Sequence, residues 1–110
     1  MMASMTAPQW PSHTQREIHQ QPDVWIAAMA GVDAVRADLN AWLAPILARP
    51  DLRIILTGAG SSAYIGEALA PVLTEGLQRT VTAISTTSLV GAPAGHLLAD
   101  RPTLLVSYAR

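Results

Sequence analysis

Residues 53–66, Arg-Ile-Ile-Leu-Thr-Gly-Ala-Gly-Ser-Ser-Ala-Tyr-Ile-Gly, constrain the fold more than any other stretch of this chain. An apolar run stops at two glycines, passes through two hydroxyl residues and continues with helical periodicity. That pattern predicts a strand, a tight turn and the start of a helix. The first backbone N–H groups of such a helix lack partners within it and face the turn, where an anion can accept them. Phosphate is the natural guest, and successive hydroxyls at a helix start add donors to it.

Two nucleotide-binding turns are tested by the residues themselves. The P-loop needs a Lys-Ser/Thr pair after its last glycine, and the sequence contains no lysine, so that reading fails. Gly58-x-Gly60-x-x-Ala63 satisfies the dinucleotide fingerprint, which also requires an acidic residue about 20 positions further on to hold a ribose. None stands between Glu75 and Asp100, and Ile84-Ser85-Thr86-Thr87-Ser88 offers hydroxyls where that carboxylate belongs. An NAD(P)-binding domain is therefore the weaker alternative. A turn that only packs a helix on a sheet is the other, and the paired serines argue against it.

Composition narrows the classes further. A formal net charge of -1 with 14% charged residues provides no basic field for nucleic acid. The absence of cysteine removes disulfides and thiolate chemistry and fits a cytoplasmic protein. All seven basic residues are arginine, which removes Schiff-base lysine chemistry. Asp33, Arg36 and Asp38 interrupt the best candidate for a membrane span, and the first 15 residues show no secretory signal. Neither a membrane nor a nucleic acid is an expected partner, and His13, His19 and His96 read as surface residues without metal-ligand spacing.

Taken in order, residues 1–15 read as a flexible tail in which Trp10 touches the body, and 16–50 as an N-terminal helical arm. Thr14 to Gln21 reads as a short helix or arm leading to Pro22, with Asp23 as the cap or a first-turn acid of the next helix. The breaker Gly31 predicts two helices, about 23–30 and 33–48, the second bent at Pro45. Val35, Leu39, Trp42, Leu43 and Ile46 form its expected inward stripe, and Trp25 and Trp42 read as core or interface anchors. Leu52 to Thr57 is the first strand, apolar on consecutive positions as a parallel strand covered on both faces should be. A helix over about 62–75 is expected to turn Ile65, Leu69, Val72 and Leu73 inward, to kink at Pro71 and to end at Gly76. Thr80 to Ile84 and Thr103 to Tyr108 supply two more strands, separated by at most a short helical turn or two. The fold class is α/β, the start of a doubly wound parallel sheet with three strands over residues 51–110. Ligands in such sheets bind beyond the carboxyl ends of the strands, here Gly58 to Ser62, Ser85 to Ser88 and Ser107 to Arg110.

Thr57-Gly58-Ala59-Gly60-Ser61-Ser62, Ile84-Ser85-Thr86-Thr87 and Leu104-Leu105-Val106-Ser107-Tyr108-Ala109-Arg110 together resemble the opening half of a sugar isomerase (SIS) domain. The best match is the tagatose-6-phosphate ketose/aldose isomerase group, also described as galactosamine-6-phosphate deaminase/isomerase. Glu17-Ile18-x-x-Gln21-Pro22 is a second matching signature, and the resemblance runs from about residue 14 to the end. It implies a sugar phosphate as ligand, no cofactor, no metal, and a homo-oligomer in the full-length form. It assigns Ser61 and Ser62 as phosphate contacts, with Gly58 and Gly60 allowing close backbone approach. Thr87, Ser88, Ser107 and Arg110 complete the expected phosphosugar-binding set.

Two departures from the family accompany this. Its second phosphate loop reads Arg-Ser-Gly-Asn-Ser in close relatives, of which Arg110 alone is present, so the chain is expected to be a truncated SIS domain, inactive alone. Ser88 stands where an acidic residue is usual. Aldose–ketose isomerisation needs a base between C1 and C2 and an acid at the carbonyl oxygen. No convincing pair is visible, so the catalytic residues stay unassigned, and Glu17 is expected to anchor the arm. The alternative function is a non-catalytic phosphosugar sensor.

Overall fold

The structure, a computed structural model, describes residues 12–108. Trp10 and most of the expected tail lie outside the described residues. The described elements are α1 (His13–Leu47), β1 (Arg53–Gly58), α2 (Ser61–Leu77), β2 (Thr80–Ser85), α3 (Thr86–Gly91), α4 (Pro93–His96) and β3 (Thr103–Ser107). By its internal contacts the chain divides into two compact units, residues 1–40 and 41–110.

The first unit carries most of α1. In place of the two expected helices and the short one before them, a single helix of 35 residues runs through Pro22, Gly31 and Pro45. Glycine in a helix costs only about 1 kcal/mol and a proline about 3. Such local costs weaken this alanine-rich run without ending it. The start is fixed by Ser12, whose Oγ accepts the N–H of Gln15 at 3.2 Å, so residues 12–15 belong to the helix and its cap. Asp23 consequently sits inside the helix and caps nothing. Ile18, Val24, Trp25, Ile26, Met29, Val32, Val35 and Leu39 are all exposed, and Trp25, at 61% exposure, is no core residue of this chain.

The second unit is a three-stranded sheet in the order β2-β1-β3, parallel throughout. β1 is the middle strand and is covered on both faces. Leu52, Ile54 and Leu56 pack with Ala70 of α2 and Val81 of β2, while Ile55 packs on the other face with Ile84 and Leu89. The consecutive apolar positions of β1 thus divide between two small cores, as burial from both sides requires. Of the expected α1 stripe, Leu43 and Ile46 are half-buried, whereas Trp42 is 58% exposed.

The buried face of α2 is a correction. Ile65, Leu69 and Val72 are exposed, and Gly66 and Ala70 are the buried positions, with Leu73 packed at the rim. Helical spacing of four and three residues relates these positions. Small residues win because the helix approaches closely: a Cβ at Gly66 would lie 2.8 Å from the Tyr108 hydroxyl and 3.5 Å from the Leu56 Cβ. The helix continues through Pro71 and Gly76 and ends at Leu77. Gln78 then adopts a left-handed conformation, φ 53° and ψ 43°, its N–H reaching Thr74 O at 2.9 Å and its Nε2 reaching Glu75 O at 2.7 Å. Two carbonyls at the helix end are satisfied in this way, so Gly76 is not needed as a terminator. Arg79 serves the end of α1 similarly, its Nε donating to Leu47 O at 3.0 Å.

Ile55 is fully buried and Val90 is largely exposed. Ile55→Ala should therefore lower unfolding stability by about 2–5 kcal/mol, against no more than about 0.5 kcal/mol for Val90→Ala. Urea denaturation of the two variants checks this, and equal shifts would contradict the assignment of the core.

Candidate functional site

Parallel pairing brings the carboxyl ends of all three strands to one edge. Gly58 lies opposite Ser85, and Thr57 lies opposite Ser107. The strand order reverses at β1, because the chain passes to β2 on one side and to β3 on the other. In sheets of this kind such a switch point is where ligands enter.

The first loop is shaped by close approach. A Cβ on Gly58 would stand 2.7 Å from the Ser62 Cβ, so only glycine fits beneath the first turn of α2. Gly60 has φ 58° and ψ -127°, a conformation that side chains disfavour, while the space around its Cα is open. The two glycines therefore do different work: the first admits the helix, the second reverses the chain. Ser61 is exposed and Ser62 half-buried, and neither hydroxyl is hydrogen-bonded among the described residues. The backbone is less open than the sequence implies. Ser62 N–H donates to Ala59 O and Ala63 N–H to Gly60 O, both at 3.1 Å, closing a tight first turn. What the turn presents is the Ser61 amide and the hydroxyls of Ser61 and Ser62, not a full ring of amides.

The second loop is α3. Its N-cap, Ser85, accepts the Ser88 N–H at 3.2 Å and donates its hydroxyl to Ser88 Oγ at 2.9 Å. Thr87 and Ser88 are exposed. Ser88, at the position where the resemblance leads to an acidic residue being expected, is thus engaged with its own cap, while Thr87 is free at the surface. Thr57 and Thr86, which lie within the quoted sequence motifs but receive no role from them, have their hydroxyls 3.3 Å apart below this loop. A threonine at the end of an apolar parallel strand, where a further aliphatic side chain would pack equally well, is the signal that could have shown the first of them.

The third strand ends at exposed Ser107, followed by Tyr108, whose N–H donates to Thr57 O at 3.3 Å. The Tyr108 hydroxyl is buried against Gly66 with no hydrogen-bond partner among the described residues. Arg110 lies outside the described residues. Gly58, Gly60, Ser61, Ser62, Thr87, Ser88 and Ser107 therefore gather at one edge of the sheet. Glu17 lies on α1 in the first unit and is exposed, and its side chain has no hydrogen bond or ion pair among the described residues. None of the three strand ends carries a carboxylate or an imidazole.

A parallel sheet in this order, entered through a glycine–serine turn and lined with hydroxyls at its carboxyl edge, is an open α/β architecture that a solved enzyme structure shares. The crystal structure of tagatose-6-phosphate ketose/aldose isomerase from Escherichia coli superposes on it with a TM-score of 0.88 at 41% identity, over 96% of this chain and 29% of that one. The chain is homologous to proteins named D-galactosamine-6-phosphate deaminase AgaS. The Escherichia coli protein of that name is 44% identical over 97 residues, 88% of this chain and 25% of its own length. A Streptomyces coelicolor protein to which that activity is assigned provisionally is 53% identical over 98 residues, 89% of this chain and 26% of its own. The chain thus spans about a quarter of the length of these relatives. By comparison with family models it matches none.

Gly58→Ala should cost about 1–3 kcal/mol, because the added methyl meets the Ser62 Cβ and must displace α2. Gly31→Ala, at an open helical position, should be neutral or stabilising. Thermal melts of the two variants test the contrast, and a harmless Gly58→Ala would contradict the close approach.

Proposed function

We propose that this chain supplies the phosphate-binding edge of a cytoplasmic, oligomeric enzyme that isomerises or deaminates a hexose 6-phosphate. The observation that carries the reading is the turn from Gly58 to Ser62, which presents two unengaged hydroxyls and the Ser61 amide beyond the carboxyl end of the central strand. The names borne by the relatives support the substrate class.

The chemistry assigned to this chain is binding. A phosphate dianion has oxygens to accept several hydrogen bonds, and each charge-assisted bond contributes about 1.5–3 kcal/mol. The positive end of α2 adds about 0.3–1 kcal/mol. Three or four such contacts support micromolar to millimolar affinity once ordering costs are included. Proton transfer between C1 and C2 falls to residues elsewhere, because the three strand ends hold hydroxyls and no group that titrates near neutral pH. The same feature disfavours a dinucleotide: β2 ends at Ser85, with no carboxylate to hold a ribose.

The full-length gene product should bind galactosamine 6-phosphate and not galactosamine. Ser61→Ala and Ser62→Ala should each weaken that binding about tenfold or more. Isothermal titration measures it, and wild-type affinity in both variants would contradict the assignment.

A further inference from the structure

We infer that Thr57 is a positioning residue that sets the second loop of the site relative to the first. The residue is 3% exposed, the single buried polar residue among the otherwise apolar buried positions described. It lies on the same face of β1 as Ile55, which packs with Ile84 and Leu89, so this face of the central strand is the one beneath α3. There its hydroxyl meets that of Thr86, the first residue of α3, at 3.3 Å. The Thr57 carbonyl takes the Tyr108 N–H on the opposite side. The last residue but one of β1 is thereby tied by its side chain to the start of the second loop and by its backbone to the end of the third strand.

A buried hydroxyl costs free energy unless it is bonded, and valine has the same shape without that cost. A strand selected for packing alone would carry valine here. The hydroxyl instead fixes Thr86 beside the cap in which Ser85 holds Ser88. Thr87 and Ser88 are exposed above it, whereas Thr57 is too deep to touch a ligand. The role is therefore exerted through the second loop.

The inference rests on the reading of this edge as a phosphosugar site, and the experiment separates the two. In the full-length gene product, Thr57→Val should speed amide hydrogen exchange at Ser88 and Leu89 by about three- to tenfold, and Thr57→Ser should stay within about twofold of wild type. Thr57→Val should weaken galactosamine 6-phosphate binding by a similar factor. Binding of inorganic phosphate, which the first loop holds, should be unchanged. Thr86→Val removes the same hydrogen bond from its less buried partner and must reproduce the exchange result even if Thr57→Val does not fold. Unchanged exchange overturns the inference, as does faster exchange with unaltered sugar phosphate binding. If the wild type binds no sugar phosphate, the functional reading fails by itself. Exchange then still decides the tether: acceleration in the valine variants with rescue by serine supports it, and its absence overturns it.

Discussion

Pairing of β1 on both sides, parallel to β2 and to β3, is the constraint that organises the rest of the second unit. Parallel neighbours cannot be joined by a tight hairpin, so the chain must cross over a face of the sheet between strands. α2 covers one face and α3 the other, which is why Ile54, Ile55 and Leu56 are buried in succession rather than alternately. The same parallelism collects every strand's carboxyl end on one edge. Fold and site thus have a common cause in the backbone of one strand.

At that edge, close approach depends on glycine. Gly58 lets the first turn of α2 sit directly above β1, and Gly66 lets the second turn sit against the Tyr108 hydroxyl and Leu56. The tight turn that results consumes the Ser62 and Ala63 amides in its own hydrogen bonds. What the turn leaves open is therefore mostly side chain, the Ser61 and Ser62 hydroxyls, and of the main chain only the Ser61 amide.

Much of this is legible in the sequence, and the failures share a cause. The strand–turn–helix at 53–66, the three strands and the short helices between the second and third all emerge from periodicity and turn chemistry. Gly31, Pro22 and Gly76 read as stops, yet helix continuity is decided by the whole run, whereas a breaker acts on one turn. The true start of α1 is written in Ser12-x-x-Gln15, a pairing of cap residue and third helical residue that the neighbouring prolines obscure. Bulk as the sign of burial gives α2 the wrong inward face. Where two elements approach closely, small residues such as Gly66 and Ala70 face the contact, and Ile65 and Leu69 are left outside. The hydroxyl tether between Thr57 and Thr86 joins residues far apart in the chain, and no local pattern encodes it. The exposed tryptophans of α1 show the converse: their apolar character is plain, but no residue pattern says what covers them.

The most direct measurement is a crystal structure of the full-length gene product with galactosamine 6-phosphate bound. Phosphate oxygens are expected within hydrogen-bond distance of the Ser61 and Ser62 hydroxyls and the Ser61 N–H, with the sugar directed towards Thr87. A phosphate bound elsewhere, or serine hydroxyls turned into the protein and engaged there, would contradict the assignment of this edge.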